Sequence, residues 1–301
     1  YSEEVKKELK KESEEFVDID REVKKLLARS KVDDYSVILK FCTQEYDDDT
    51  VKAKLEQIAK DLAVCQKGLN NFISDKRKVF PRFYFLTMEE LLDILANGNS
   101  PKLLFKEKNY MSKIVQAADK LEMVDLGGDR PTITTMNSSV GVEKVTFLGS
   151  DQERTLKDKV EIYLQEILKV IINTMKENAV RTYDDYIQNL IMEVPKMGEP
   201  ASEKKVKWID SNYAQLTLLI SASGWVKNTE SRFQKIQDGE VEAMADYLKI
   251  VISNLTALIK LVQGDLSKAI RRKIMCLITM ETHNRDIIDK LVQEKVRKAE
   301  E

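Results

Sequence analysis

The segment SDKRKVFPRFYFLTMEELLDIL, residues 74–95, decides the fold prediction because large apolar rings stand directly before a clear helix start. The ring-bearing residues are Phe80, Pro81, Phe83, Tyr84 and Phe85. So dense a group of large apolar residues is usually part of a core, and an exposed binding patch is the alternative. Thr87 and Glu90 match a capping box, in which each side chain satisfies the backbone N–H of the other. Leu86 and Leu91 match a hydrophobic staple, which sets the angle at which the chain enters a helix. We therefore predict a rigid joint between two helices, which is a mechanical feature rather than a chemical one.

The composition around this joint favours a protein made mainly of long helices. The chain has 301 residues, of which 43% are hydrophobic and 33% charged, with 10 Gly and 5 Pro. So few helix breakers disfavour an all-β or loop-rich chain. The formal net charge of −2 argues against a nucleic-acid partner. No apolar run approaches the roughly 18 residues of a membrane span, so no membrane partner is predicted. Because residue 1 is a Tyr within a charged helical pattern, we expect a piece of a longer chain.

Apolar periodicity predicts a mainly α fold of elongated helical bundles with a small antiparallel β-meander insert. Residues 1–118 are predicted to form a first helical lobe, residues 119–150 the insert and residues 151–301 a second helical lobe. Beyond the capped helix at Thr87, the predicted helices span residues 2–29, 51–78, 109–118, 160–180, 206–220, 241–262 and 266–296. The predicted strands span residues 121–126, 132–136 and 144–148.

The first candidate hinge is the short break after the capped helix. It consists of Asn97, Gly98, Asn99, Ser100 and Pro101. Gly98 permits backbone angles that other residues resist, and Pro101 restricts Ser100 to extended conformations. The segment can therefore set an angle between rigid elements, and the loop near Pro195 is the second candidate.

No catalytic, cofactor-binding or metal-binding residue is predicted. The single histidine, His283, has the charged neighbours of a solvated helix face, so a structural role is favoured over a catalytic one. Cys42, Cys65 and Cys276 are far apart and form no C-x-x-C motif, which indicates neither a disulfide framework nor a zinc site. The phosphate-loop motif G-x-x-x-x-G-K-[ST] does not occur in the sequence.

Two basic clusters and two tryptophans remain to be interpreted. Residues 76–78 suit the C-terminal end of a helix, and residues 271–273 suit a solvated helix face. For both clusters, docking to an acidic surface is the alternative. Trp208 and Trp225 are interpreted as residues that pack helices together.

Five motifs together resemble the linker region of dynein heavy chains, the segment that lies across the AAA+ ring of the motor. They are LAVCQKGLNNFISDKRKVFPRFYFL (residues 62–86), LLDILANGNSP (91–101), KVEIYLQEIL (159–168), WIDSNYAQLTLLISASGW (208–225) and GDLSKAIRRKIMCLITMETHNRDIIDKLV (264–292). Tyr163 stands where the family usually has Trp, and Gly224 stands where it usually has a bulky apolar residue. The structural signature residues under this resemblance are Phe80, Pro81, Arg82, Phe83, Tyr84, Phe85, Thr87, Glu90, Trp208 and Trp225.

The resemblance implies a mechanical segment without a catalytic site, which changes shape on the AAA+ ring to produce the power stroke. It implies ATP and Mg as cofactors of the parent chain and none in this segment. The implied partners are the ring, other dynein heavy, intermediate and light chains, and microtubules. Residues 65–72, 91–101 and 264–275 look more like outer-arm, beta-type axonemal chains, so we expect the axoneme of a cilium or flagellum rather than the general cytoplasm. The alternative is a static helical scaffold or adaptor unrelated to motors, and an enzyme is disfavoured.

Overall fold

The computed structural model describes residues 3–32, 45–46, 49–116, 118–126, 130–138, 143–191, 193–195 and 198–296. Cys42 lies outside these residues. Most of the described residues are helical, and the described strands form two small antiparallel sheets. The predicted mainly α fold with a β-meander is therefore confirmed. Among the described residues, no helix combines the length and the apolar character needed to cross a membrane.

The chain forms two compact units. Unit 1 comprises Tyr1–Gly141 and Ser150–Leu168, and unit 2 comprises Val142–Gly149 and Lys169–Glu301. The sequence analysis divides the chain into three segments, with boundaries at residues 118 and 150. That three-part division differs from these two units and stays a prediction.

Unit 1 begins with a helical hairpin. Its elements are α1 (Glu3–Glu8), α2 (Lys10–Val32), the two-residue strands β1 (Glu45–Tyr46) and β2 (Asp49–Thr50), and α3 (Val51–Val79). The predicted helix over residues 2–29 is thus interrupted at Leu9, between α1 and α2. Thr50 caps α3, because its hydroxyl accepts a hydrogen bond from the Ala53 N–H at 3.2 Å.

Short elements complete unit 1 around the aromatic segment. They are a 3₁₀ helix (Pro81–Phe85), α4 (Met88–Ala96), a π-helix (Leu103–Glu107), α5 (Met111–Ile114), β3 (Ala118–Val124), β4 (Thr132–Ser138), α6 (Asp151–Arg154) and the start of α7 (Val160–Asn189). Strands β3 and β4 are antiparallel, with Leu121 opposite Met136. The short strand β5 (Lys144–Thr146) belongs to the part of the chain assigned to unit 2. Phe83, Leu91 and Tyr163 are fully buried in the core of this unit.

Unit 2 is built from long helices. Beyond the rest of α7, they are α8 (Glu203–Ser211), α9 (Ala214–Gln237), α10 (Ala243–Gln263) and α11 (Lys268–Gln293). One core cluster contains Trp208, Ile209 and Ile274, and another contains Phe233 and Ile288. These helices bury their apolar stripes against one another, as amphipathic helices do.

The prediction of one helix over residues 206–220 is wrong, because α8 and α9 are separated at Asn212 and Tyr213. The Asn212 amide donates to the Trp208 carbonyl at 2.8 Å and accepts from the Thr182 hydroxyl at 2.8 Å. Its backbone is extended, with φ −107° and ψ 152°. Asn readily forms such local side-chain bonds in place of helical ones, and the chain therefore turns here.

Candidate functional site: an aromatic joint in unit 1

The aromatic segment buries every third residue. Phe80, Phe83 and Leu86 are 1%, 0% and 4% exposed, and the two phenyl rings meet edge to face with their centroids 4.9 Å apart. A 3₁₀ helix has three residues per turn, so these three side chains lie on one side of it. Tyr84 and Phe85 are instead 62% and 68% exposed. The expectation that the whole aromatic segment is core is therefore wrong for these two rings.

The capping box predicted at Thr87 and Glu90 is confirmed. The Glu90 N–H donates to the Thr87 hydroxyl at 3.3 Å, and the Thr87 N–H donates to the Glu90 carboxylate at 3.0 Å. Lys113 also contacts this carboxylate. The hydrogen bond from Lys113, followed by that from the Thr87 backbone, holds the pKa of Glu90 below its ordinary value. The Arg82 guanidinium also donates a hydrogen bond to the Ile114 carbonyl at 2.7 Å, which joins the 3₁₀ helix to α5. The start of α4 is thus bonded to α5 as well as to itself.

The candidate hinge segment lies within unit 1 and is held at several points. The Gly98 carbonyl accepts a hydrogen bond from the Tyr163 hydroxyl at 2.9 Å, and the Tyr163 ring is fully buried. A Cβ atom on Gly98 would lie 3.0 Å from the Cβ of Val160. Its backbone is not in the left-handed region, so the close approach to α7 is what requires glycine here. Asn99 accepts from the Arg130 guanidinium at 2.9 Å. The hinge role itself stays a prediction.

Tyr163 is a residue of this joint whose role the sequence did not reveal. Under the family resemblance, Tyr163 stands where Trp is usual. Tyr and Trp side chains both combine a large apolar ring with one polar atom. Its ring packs edge to face on Phe105, with centroids 6.3 Å apart. The hydroxyl bond to the Gly98 carbonyl joins α7 to the end of α4, two segments that are 65 residues apart in the chain.

The basic cluster at residues 76–78 is more than a solvated helix end. Lys76 is 13% exposed and pairs with Glu8 at 2.9 Å and with Glu161 at 2.8 Å. Burial lowers the pKa of Lys76, but the hydrogen bonds to Glu161 and Glu8 outweigh burial and raise it above its ordinary value. Arg77 lies over the Tyr84 ring at 5.2 Å. The cluster therefore joins α1, α3 and α7 inside unit 1.

The second basic cluster also lies partly inside its unit. Lys273 is 10% exposed and pairs with Glu143 at 2.8 Å. It also donates to the Asn212 carbonyl at 2.6 Å, beyond the end of α8. Arg271 donates to the Val262 and Gly264 carbonyls at the end of α10. The interpretation of this cluster as a solvated face is wrong for these two residues, which satisfy carbonyl groups at helix ends.

The two tryptophans lie in unit 2, away from the aromatic joint. Trp208 is buried and packs on Tyr186 with ring centroids 5.2 Å apart. Trp225 is partly buried beside the cluster that contains Phe233. A Cβ atom on Gly224 would lie 2.4 Å from Cε1 of Tyr186. Gly224, where the family usually has a bulky apolar residue, thus leaves room for the Tyr186 ring.

Unit 2 also contains a polar cavity of about 160 Å³, lined in part by Lys205, Glu193, Glu281 and Trp225. Burial lowers the pKa of Lys205 despite the nearby carboxylates, and burial raises the pKa of Glu281 despite Lys205. Lys205 makes no ion pair with another residue that the structure describes. Each group is therefore shifted toward its neutral form.

Potential metal ligands do not cluster in the part of the chain that the structure describes. In the described ranges, no three His, Cys, Asp or Glu side chains are grouped to hold a metal ion. His283 is exposed on α11. The joint around Phe83 and Gly98, where several elements of unit 1 are packed and bonded together, is our candidate site.

Comparison with known proteins gives consistent matches over nearly the whole chain. Residues 1–182 match the family described as dynein heavy chain, N-terminal region 2. The dynein alpha chain of the flagellar outer arm of Chlamydomonas reinhardtii is 34% identical over 291 residues, which is 96% of this chain and 6% of that protein. Human dynein axonemal heavy chain 17 is 30% identical over 304 residues, and the ciliary dynein beta chain of Tripneustes gratilla is 29% identical over 304 residues. Each of these two matches covers 99% of this chain, and the chain spans 6% of the length of each relative.

Proposed function

Because this chain belongs to the dynein heavy chain family, we propose that it is a linker segment of a dynein motor. In this proposal the segment transmits force by changing shape on the AAA+ ring of the same polypeptide and carries out no chemistry itself. ATP and Mg act in the ring of the parent chain. The whole motor moves along microtubules together with other dynein heavy, intermediate and light chains.

The observation that carries this proposal is the bonded joint of unit 1. Phe80 and Phe83 anchor the 3₁₀ helix, and the capping box orients α4. The end of α4 is bonded to α7 through Gly98 and Tyr163. A segment that transmits force needs elements whose relative angles are set by several independent contacts, because one exposed bond contributes little stability.

The cellular site follows from the relatives. Their names place them in flagellar outer arms, axonemes and cilia. We therefore propose that the parent motor acts in the axoneme of a cilium or flagellum. The matches include both alpha and beta chains of the outer arm, so an outer-arm motor is supported more directly than a beta-type chain alone.

Within the linker, we propose that Asn97–Pro101 is a joint whose backbone angles change during the cycle. Gly98 packs on Val160 of α7, and its carbonyl is held by Tyr163. A change of state requires a ligand or contact that binds the two conformations with different free energies. In this proposal the AAA+ ring supplies that difference, and the segment converts it into a change of angle.

The test is a substitution in a complete motor that contains this segment. Gly98→Pro restricts the backbone and removes an N–H. We expect slower microtubule gliding with basal ATPase activity largely retained, because hydrolysis occurs in the ring. Two controls separate the other effects of this change. Gly98→Ala adds a Cβ atom beside Val160 without fixing the backbone angle, and Tyr163→Phe removes the hydroxyl bond to the Gly98 carbonyl.

Three results would contradict the proposal. Normal gliding by Gly98→Pro would place the moving joint outside Asn97–Pro101. Loss of basal ATPase together with gliding would mean that the segment is needed for the structure of the ring rather than for transmission. If Tyr163→Phe slowed gliding as much as Gly98→Pro, the hydroxyl bond rather than backbone freedom would be the cause.

A further inference from the structure

One carboxylate, that of Asp93, accepts hydrogen bonds from both sides of the segment Asn97–Pro101. Asp93 lies in the last turn of α4. At the start of the segment, the Asn97 side-chain amide donates to Oδ1 of Asp93 at 2.9 Å. Beyond the segment and the π-helix, Nζ of Lys108 lies 2.6 Å from both carboxylate oxygens, and the Tyr110 hydroxyl donates to Oδ2 at 2.5 Å. A carboxylate offers about four acceptor positions, so all three donors bind it at once.

The protonation states of these groups suit the bonds at neutral pH. Burial raises the pKa of Asp93, but the hydrogen bonds from Lys108 and Tyr110 outweigh burial and place that pKa below its ordinary value. Burial and the hydrogen bond to Asp93 raise the pKa of Tyr110 to about 12. The carboxylate is therefore charged and the phenol keeps the proton that it donates, which makes the Tyr110 bond charge-assisted.

The turn that carries Lys108 and Tyr110 is itself held in place. Asn109, which lies between them, has φ 50°, in the left-handed region that Asn tolerates better than most residues. Its side-chain amide donates to the Asp119 carboxylate of β3 at 3.1 Å. Asp93 thus joins the end of α4 to a turn that is anchored on the sheet.

The three bonds oppose rotation within Asn97–Pro101. A change of backbone angle at Gly98 turns α4 relative to residues 108–110 and so moves the Asp93 carboxylate away from its partners. A donor and an acceptor about 3.6 Å apart no longer form a side-chain hydrogen bond, so a displacement of about 1 Å is enough to break these contacts. An exposed ion pair alone contributes little stability, whereas this partly buried carboxylate loses several donors together.

We propose that Asp93 is the positioning residue of this joint. Its carboxylate holds Asn97–Pro101 in the conformation described above, and the angle changes only when the bonds to Lys108 and Tyr110 open. The inference rests on the proposed function, because it concerns the same joint. It adds a contact that stabilises one of the two conformations, as a change of state requires a difference in interaction free energy between them.

The test measures backbone hydrogen exchange in a complete heavy chain without nucleotide. Asp93→Ala removes the carboxylate and keeps a good helix former. We expect peptides covering residues 97–110 to exchange at least about tenfold faster, because local opening no longer has to break bonds to a charged group. Tyr110→Phe should accelerate the same peptides by a smaller factor, about threefold. Glu89→Ala is the matched control, since Glu89 is exposed in the first turn of the same helix, and it should leave these rates unchanged.

Two further comparisons separate positioning from general support of the fold. Peptides from α3 should keep their rates in every variant, because the joint opens locally. Asp93→Ala combined with Tyr110→Phe should exchange no faster than Asp93→Ala alone, because both changes remove the same bond. Unchanged exchange in Asp93→Ala would overturn the proposal, as would an equal effect of Glu89→Ala, additive effects in the double variant, or equal acceleration in α3.

Adding ATP to the same complete motor tests the proposed function separately. If residues 97–110 of the parent exchange equally with and without ATP, the segment does not move in the cycle, and the joint proposed within the linker is wrong. Faster exchange of Asp93→Ala without nucleotide would still show that Asp93 holds the segment. The two failures are therefore distinguishable.

Discussion

At the scale of single residues, Phe83 and Phe85 show how one turn of backbone separates a core residue from a surface residue. Both belong to the same 3₁₀ helix, yet Phe83 is fully buried and Phe85 is 68% exposed. Their chemistry is identical, so any difference between their substitutions measures burial alone. The pair is therefore a built-in comparison of core and surface.

We expect Phe83→Ala to lower the free energy of unfolding by about 3–5 kcal/mol, because it removes buried area and leaves a cavity. Phe85→Ala should change it by no more than about 0.5 kcal/mol, as is usual for surface positions. Urea denaturation followed by circular dichroism measures both. Equal losses for the two variants would mean that Phe85 is buried in solution.

The capping box gives a second prediction at the same scale. Thr87→Ala should cost about 0.5–2 kcal/mol, because an N–H at the start of α4 loses its partner. Glu90→Gln should cost less, since Gln can also close the box. Because Glu90 also contacts Lys113, part of its loss should depend on charge. Measuring the free energy of unfolding of both variants at low and high salt separates the capping hydrogen bond from the charge interaction with Lys113. A salt-dependent loss for Thr87→Ala would contradict the assignment of its effect to the capping bond.

At the scale of secondary structure elements, the break between α8 and α9 is held by residues distant in the chain. Glu143 accepts a hydrogen bond from the Ala214 N–H at 2.9 Å, at the start of α9. Lys273 donates to the Asn212 carbonyl and pairs with Glu143. The negative side chain thus lies at a helix N-terminus and the positive one near a helix C-terminus, as the helix dipoles favour.

We expect Lys273→Met to destabilise unit 2 by about 1–3 kcal/mol, because the partly buried Glu143 carboxylate and the Asn212 carbonyl both lose this partner. Arg272→Met is the matched control, since Arg272 is the exposed neighbour on the same helix. Chemical denaturation of both variants provides the measurement. A loss for Arg272→Met as large as that for Lys273→Met would mean that the cluster acts through its total charge.

A second prediction at this scale concerns the contact between α7 and α9. Gly224→Ala would place a Cβ atom 2.4 Å from the Tyr186 ring, which is itself packed on Trp208. We expect an overpacking cost of about 1–3 kcal/mol, which exceeds the roughly 1 kcal/mol that Ala gains over Gly in a helix. With Tyr186→Leu present, the same Gly224→Ala change should become stabilising. A double-mutant cycle without this change of sign would contradict the assigned contact.

At the scale of the whole molecule, the Lys76 network links acid stability to the assembly of unit 1. Burial raises the pKa of Glu8, but the hydrogen bonds from Lys159 and Lys76 outweigh it and place the pKa below its ordinary value. The folded state then binds fewer protons than the unfolded state in acid. The stabilisation is therefore present above the ordinary carboxyl pKa and is lost as the pH falls through the folded value.

We expect Glu8→Gln to lower the melting temperature at neutral pH, with the difference from the parent chain shrinking as the pH falls below the ordinary carboxyl pKa. Glu14→Gln is the control, because Glu14 is exposed on α2. Thermal melts from neutral to acid pH provide the measurement. A difference that is constant across this range would mean that Glu8 contributes through packing rather than through charge.

Interactions between residues a few positions apart could be predicted from the sequence. The sequence predicted the capping box at Thr87, the basic last turn of α3 and the three strands. All of these depend on neighbours within a few residues. Such signals are local, because backbone hydrogen bonds and caps form between nearby groups. The motifs from residue 62 to 292 also sufficed to place the chain in its family.

Tertiary structure alone decided which side chains are covered and where helix α8 ends. Periodicity identifies an apolar face, but it does not say whether a distant segment packs on that face. Lys76 is buried by Glu8 and Glu161, and α9 starts at a carboxylate 71 residues away in the chain. Gly224 is explained by a ring on another helix, Tyr186. These features arise from contacts across tens of residues, and the local pattern that predicts a helix contains no information about them.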